Sequence, residues 1–167
     1  ASVVEPGDTL FLGSGTTVVQ VAKNIKNISD LTVITNSLLV INELLDCRNI
    51  TLVDLGGVVR HSEYSLIGNI TEAALSGLFA DKVIIGIQGI DLDQGLTNHY
   101  LPETMTDRKI TQMSKNIIVV ADRTKCGNIA TSQVAPISVV STLVTDNETP
   151  KDFVQELRNM GITVMQV

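Results

Sequence analysis

The residues able to do chemistry in this chain are small, hydroxyl-bearing or carboxylate-bearing, and they gather where β-branched runs end. Gly13-Ser14-Gly15-Thr16-Thr17 follows the run Thr9-Leu10-Phe11-Leu12. Small residues let a backbone pass close to an anion, successive N–H groups can form a nest, and a following helix adds partial positive charge. The hydroxyls of Ser14, Thr16 and Thr17 are further donors. A phosphate cradle and a plain capped turn both remain open on this motif alone. Thr35-Asn36-Ser37 ends a second run, Gly56-Gly57 a third, Gly86-Ile87-Gln88-Gly89-Ile90-Asp91 a fourth and Ala121-Asp122-Arg123-Thr124-Lys125 a fifth. Together they suit a phosphorylated polyol. A nest would hold the phosphate, a carboxylate such as Asp91 would accept from hydroxyls, and Lys125 would supply a positive charge. Arg60 is a second possible cation.

Other chemistries find little support. Gly-x-Gly-x-x-Gly would require a glycine at Val18, and no Gly-Lys pair exists for a Walker loop. No Gly-x-Ser-x-Gly elbow supports a hydrolase triad. His61 and His99 read as surface residues, and two histidines with Cys47 and Cys126 would have to assemble a zinc site from scattered ligands. The expectation is no cofactor and no metal.

The elements that must position these residues alternate. Strands are expected at Thr9–Leu12, Leu31–Thr35, Ile50–Leu55, Lys82–Ile87, Asn116–Ala121, Leu143–Thr145 and Ile162–Val167. Helices are expected at Thr17–Asn27 (Val18, Val21, Ala22 and Ile25 inward) and Ser37–Asp46 (Leu38, Ile41 and Leu45 inward, Ser37 as N-cap). Further helices are expected at Thr71–Ala80, at Glu103–Lys115, and at Pro150–Met160 with Phe153, Leu157 and Met160 inward. Val58–Gly68 and Gln88–Pro102 read as irregular. Continuous rather than alternating hydrophobic strands, interleaved with helices, predict an α/β fold with a mostly parallel sheet covered on both faces. Ligands of such sheets sit beyond the carboxyl ends of the strands.

Length and composition bound the rest. The 167 residues suit one domain, 44% of them are hydrophobic, and aromatics are 3%, so the core is aliphatic and no base-stacking platform is expected. A net charge of −6 repels phosphate backbones, so this stretch is not itself a nucleic-acid binder. No apolar run approaches the roughly 18 residues of a membrane span, and a reduced, cytoplasmic setting is expected. The opening Ala1-Ser2-Val3-Val4, without a Met, reads as a piece cut from something longer.

The order of motifs resembles one family. Gly7-Asp8-Thr9, Leu12–Thr17, Leu31-Thr32-Val33 with Thr35-Asn36-Ser37, and Leu55-Gly56-Gly57 with Arg60 and Gly68 are similar to the effector-binding domain of DeoR-family bacterial regulators. Ala80-Asp81-Lys82, Gly89-Ile90-Asp91 with Gly95-Leu96-Thr97, and Ala121-Asp122 with Lys125 and Gly127 continue that resemblance. It implies a Rossmann-like, phosphosugar isomerase-like fold in a single sensor domain over 1–167. It also implies a phosphorylated sugar or sugar alcohol as effector, and a homodimer or homotetramer. Operator DNA would be bound only through an N-terminal winged helix-turn-helix that this chain lacks. By the same resemblance Ser14, Gly15, Thr16, Thr17, Thr35, Asn36, Ser37 and Lys125 line the effector pocket, and Gly56, Gly57 and Asp91 join them as strand-end candidates. The chain also resembles type A ribose phosphate isomerases. Ile87–Asp91 corresponds to their Asp-Gly-Ala-Asp-Glu, Ala121–Lys125 to their Ala-Asp-x-x-Lys, and Asp107 falls where they keep a catalytic Glu. An active aldose–ketose isomerase is therefore the alternative, weakened by Gln88 in place of an acid and by the shorter Asp107.

Overall fold

Runs such as Val83-Ile84-Ile85 and Ile117-Ile118-Val119-Val120 have no polar alternate, so the strands they form must be covered on both faces. The computed structural model, which describes residues 2–167, shows that arrangement. Strands β1 (Thr9–Leu12), β2 (Leu31–Thr35), β3 (Ile50–Asp54), β6 (Lys82–Ile85), β9 (Ile117–Val120), β11 (Val140–Thr145) and β12 (Thr163–Gln166) form a seven-stranded sheet, ordered β12-β11-β9-β6-β1-β2-β3. Every pairing in it is parallel. The chain leaves β1 toward β2 and β3, then returns to the other side of β1 as β6. The strand order therefore reverses between β1 and β6, where the loops after the two strands part and leave a crevice.

Alternate side chains divide between two cores. Leu10, Leu12, Val33, Ile84, Ile118 and Val120 face helices α1 (Thr16–Ile25) and α2 (Leu38–Leu44). Phe11, Val83, Ile85, Val119 and Leu143 face the opposite layer, to which α4 (Leu101–Ile110) and α5 (Lys151–Asn159) contribute Ile110, Val154 and Leu157. No helix among the described residues is long and apolar enough to cross a membrane.

Several expectations need correction. Val58–Gly68 is a hairpin, β4 (Val58–Arg60) against β5 (Ser65–Ile67), and Gln88–Pro102 holds β7 (Gly89–Asp91) and β8 (Gly95–Asn98), which pair with β10 (Ser132–Ala135). These strands are three or four residues long, too short to show a period. Helix α3 spans only Asn69–Ala74, and Gly77 follows at φ +84°, a value that ends helices. Helix α4 starts earlier than expected and ends at Ile110, with Pro102 in its first turn. Ser37 does cap α2, accepting from the Val40 amide at 3.3 Å, but Val40 and Leu44 are its buried face, while Leu45 is 70% exposed. The Leu38 amide donates to the Tyr64 carbonyl at 2.9 Å, tying the helix start to the hairpin and setting its rotation. Met160 is exposed because it is the C-cap of α5.

The family motif residues outside the crevice hold the sheet. Lys82 of β6 pairs with Asp8, just ahead of β1, at 2.6 Å, and Asp81 accepts from the Thr9 amide at 2.8 Å. Gly57 sits at φ +133°, where an added Cβ would stand 2.0 Å from the Thr71 hydroxyl, which itself donates to the Gly56 carbonyl at 2.7 Å. Gly57→Ala should therefore lower stability by about 1–3 kcal/mol. Urea unfolding measures it, and a loss below about 0.5 kcal/mol would contradict this packing.

Candidate functional site

A cleft of about 240 Å³ opens at the crevice between β1 and β6. One wall is the loop Gly13–Thr17 and the start of α1. Gly13 passes so close to β6 that an added Cβ would lie 3.0 Å from the Ile85 side chain. Gly15, at φ +106°, turns the chain into α1 without contributing a capping side chain. The first intrahelical bond is Val19 N–H to Gly15 O at 3.2 Å, so the amides of Thr16, Thr17 and Val18 point out of the helix without intrahelical partners. No acidic residue occupies that first turn. Partial positive charge and free donors thus face the cleft.

The floor and far wall are polar. Gly86, Ile87 and Gln88 follow β6, and Ala121 and Asp122 follow β9. Asp122 caps the 3-10 turn Arg123–Lys125. The Thr124 hydroxyl and amide hold its carboxyl below the usual range, against a smaller upward push from burial. That turn swings Lys125 into the cleft wall, half-buried, and among the described residues no carboxylate lies within ion-pair distance of its ammonium. Opposite α1, helix α4 presents Glu103 and Asp107, one turn apart. Glu103 is only 6% exposed. It pairs with Arg60 of β4 and accepts from the Ser65 hydroxyl of β5 at 3.1 Å. Arg60 in turn stacks over the Tyr100 ring, 4.5 Å from its centroid. Glu63, at the hairpin tip, also lines the cleft.

Asp107 is shifted the other way from Asp122. Burial pushes its carboxyl well above the usual range and the neighbouring Glu103 charge adds to the rise, while Asn98 and Arg60 oppose it. The Asn98 amide donates to Asp107 at 2.5 Å, and its orientation is set by the Gln88 N–H, which donates to Asn98 Oδ1 at 3.2 Å.

Of the residues singled out from sequence, Ser14, Gly15, Thr16, Thr17 and Lys125 come together here. The others serve neighbouring backbone instead. Thr35 donates to the Leu12 carbonyl at 2.6 Å and accepts from the Ser37 amide at 3.0 Å, and Asn36 donates to the Leu66 carbonyl at 3.1 Å with its Oδ1 left unpartnered. Ser37 caps α2, and Gly56 and Gly57 form the turn against Thr71. Asp91 closes the β7–β8 turn, accepting from the Asp93 and Gln94 amides at 2.9 and 2.8 Å. None of these six is among the residues lining the cleft. Glu103, Glu63 and Asn98 were not anticipated. The available signal was α4 itself, whose Glu103, Thr104 and Thr106 are buried, so polar residues occupy its inward positions.

The raised Asp107 carboxyl makes stability depend on pH. The native state keeps the proton that the unfolded chain releases near pH 4, so the contribution of Asp107 is complete below that pH and drains away as pH rises toward its folded value. Asp107→Asn, neutral throughout and still able to accept from Asn98, should lose less stability than the native chain as pH rises above about 4. Urea unfolding across that range checks it, and identical slopes would contradict a raised carboxyl.

The family model described as the DeoR C terminal sensor domain matches residues 1–147. The glycerol-3-phosphate regulon repressor of Escherichia coli K12 is 34% identical over 97% of the chain, which covers 64% of that protein. The transcriptional repressor GlcR of Bacillus subtilis is 33% identical over 99% of the chain and is covered over 63%. The chain therefore spans somewhat under two thirds of the length of these curated relatives. Among solved structures, ribose 5-phosphate isomerase A of Methanocaldococcus jannaschii superposes with a TM-score of 0.53 at 15% identity, over 75% of this chain and 49% of that one. The corresponding isomerase of Neisseria gonorrhoeae gives 0.52 at 11% identity, over 75% and 48%. Those two likenesses show the fold. The match over residues 1–147 shows the family: this chain belongs to the DeoR C-terminal sensor domains.

Proposed function

We propose that this domain senses a phosphorylated sugar or sugar alcohol and thereby controls operator binding by an N-terminal segment of the full-length repressor. The observation that carries the reading is the pairing of opposites across one cleft. Uncapped amides of α1 and Lys125, which has no ion-pair partner among the described residues, suit a phosphate, while Gln88, Asn98, Glu103 and Asp107 suit a hydroxylated chain. The relative named as a glycerol-3-phosphate regulon repressor lends support from its title. Ser14 to Thr17 and Lys125 are the phosphate ligands in this reading. Thr35, Asn36, Ser37, Gly56, Gly57 and Asp91 act through the backbone they hold.

The domain works inside the cell as a homodimer or homotetramer, since regulators of palindromic operators pair symmetrically. Val58, Val59 and Tyr64 of the hairpin are exposed, as are Tyr100 and Leu101 at the start of α4, and they offer apolar surface for that pairing. An aldose–ketose isomerase on this scaffold would need a carboxylate base at C1 and C2. Gln88 is no acid, the Asp107 carboxyl is pushed well above the usual range by burial, and Glu103 is already held by Arg60 and Ser65, so the native domain should bind sugar phosphates without exchanging the C2 hydrogen in heavy water.

A sugar phosphate at a hundredfold excess over its Kd should stabilise the domain by roughly 2.7 kcal/mol, and the unphosphorylated sugar should not. Equal thermal shifts from the two would remove the phosphate assignment. Lys125→Ala should weaken binding about tenfold to a hundredfold, through loss of a charge-assisted hydrogen bond, with the fold intact. Calorimetry measures it, and unchanged affinity would return Lys125 to a solvated surface role.

A further inference from the structure

We infer that Glu103 is the specificity-determining residue of the cleft, reading ligand hydroxyls, and that Arg60 is the positioning residue that holds it to that task. The inference rests on the sugar-phosphate reading above. Glu103 is nearly fully buried, yet it lines the cleft on the α4 wall, opposite the α1 wall that carries the amides. Its two oxygens already accept from Arg60 and Ser65. A carboxylate has about four acceptor sites, so each oxygen keeps one for a ligand donor. The flanking groups restrict what such a donor can be. Asn98 spends one acceptor site on Gln88 N–H and one donor on Asp107, which leaves it a neutral group of mixed character, and burial pushes the Asp107 carboxyl well above the usual range. Glu103 is thus the carboxyl of the pair that is held by a cation, with its direction set from two sides.

A buried ion pair is weak grounds for stability, because desolvation offsets most of its attraction. Arg60 and Ser65 belong to an isolated two-stranded hairpin that adds nothing to the main sheet. Hairpin attachment does not require the ion pair. The Asn36 carbonyl accepts from Leu66 N–H at 2.7 Å, the Asn36 side chain donates back to Leu66 O, and Leu38 N–H donates to Tyr64 O. What Arg60 adds is a fixed orientation of the Glu103 carboxyl, with the guanidinium itself steadied on Tyr100. A ligand lacking the hydroxyl that meets Glu103 would leave a buried charge short of a donor, the situation in which sites discriminate most strongly.

The test uses calorimetry with inorganic phosphate and two matched pairs: ribose 5-phosphate with 2-deoxyribose 5-phosphate, and glucose 6-phosphate with 2-deoxyglucose 6-phosphate. In the native domain at least one hydroxylated member should bind about tenfold or more above its deoxy partner. Glu103→Gln should collapse that ratio toward one. Inorganic phosphate should keep or gain affinity, because a negative charge leaves the cleft. Arg60→Ala should lower the same ratio, and Arg60→Lys should restore part of it, which a merely structural contact would not do. If Glu103→Gln fails to fold, the double variant Glu103→Gln with Arg60→Gln removes both charges together and should show the collapsed ratio. A ratio that survives in either Gln variant, or a native domain that binds phosphate and all four sugars alike, overturns the role of Glu103. No binding of phosphate or any sugar phosphate overturns the phosphate reading itself, and Glu103's role with it.

Discussion

Everything in the site depends on the reversal of strand order beside β1. Because β2 leaves on one side of β1 and β6 returns on the other, the loops after β1 and β6 diverge, and no connection crosses the gap between them. That gap sets α1 and α4 on opposite faces of the sheet, so that a helix N-terminus and a pair of carboxyl groups face each other across it. The strands that form the gap are held in register by buried aliphatic packing on both faces. At the far end of the sheet, the Asp8–Lys82 pair and the Asp81–Thr9 bond fasten β1 to β6. The motif residues of the family therefore divide between two duties, one group lining the cleft and the other keeping it open.

The two walls have opposite electrostatic character, and each is prepared differently. The α1 wall needs no charged side chain, because uncapped amides and the helix dipole supply the positive potential. The α4 wall carries two carboxyl groups one turn apart, which cannot both ionise cheaply in a buried setting. The structure gives the two different partners. Arg60 and Ser65 surround Glu103, while Asp107 has Asn98 and its carboxyl is pushed well above the usual range by burial and by the neighbouring Glu103. A ligand that is anionic at one end and rich in hydroxyls at the other fits both walls, whereas a purely anionic ligand uses only one.

How much of this was legible in the sequence follows from how local each feature is. The Gly13–Thr17 loop could be read directly, because a strand, a small-residue turn and a helix start are contiguous. Lys125 followed from its place just after β9. Thr35, Asn36, Ser37 and Asp91 looked the same on paper, yet their hydrogen bonds go to the backbone of neighbouring segments, since buried amides and carbonyls must be satisfied somewhere. Glu103 could not be placed. Its role depends on the rotation of α4 and on a hairpin some forty residues earlier in the chain, in a segment whose strands are too short to show a period. Likewise α2 buries Val40 and Leu44 because the hairpin grips its first turn, a tertiary constraint that helical spacing alone does not contain.

The most direct measurement is amide chemical-shift mapping of the isotopically labelled domain, titrated with the sugar phosphate that stabilises it most. Saturable shifts are expected at the amides of Gly15 to Val18, with a second group at Gln88 and Lys125 on the other edges of the cleft. Shifts confined to another surface, such as the groove between α3 and α4 lined by Leu75 and Phe79, would contradict binding there.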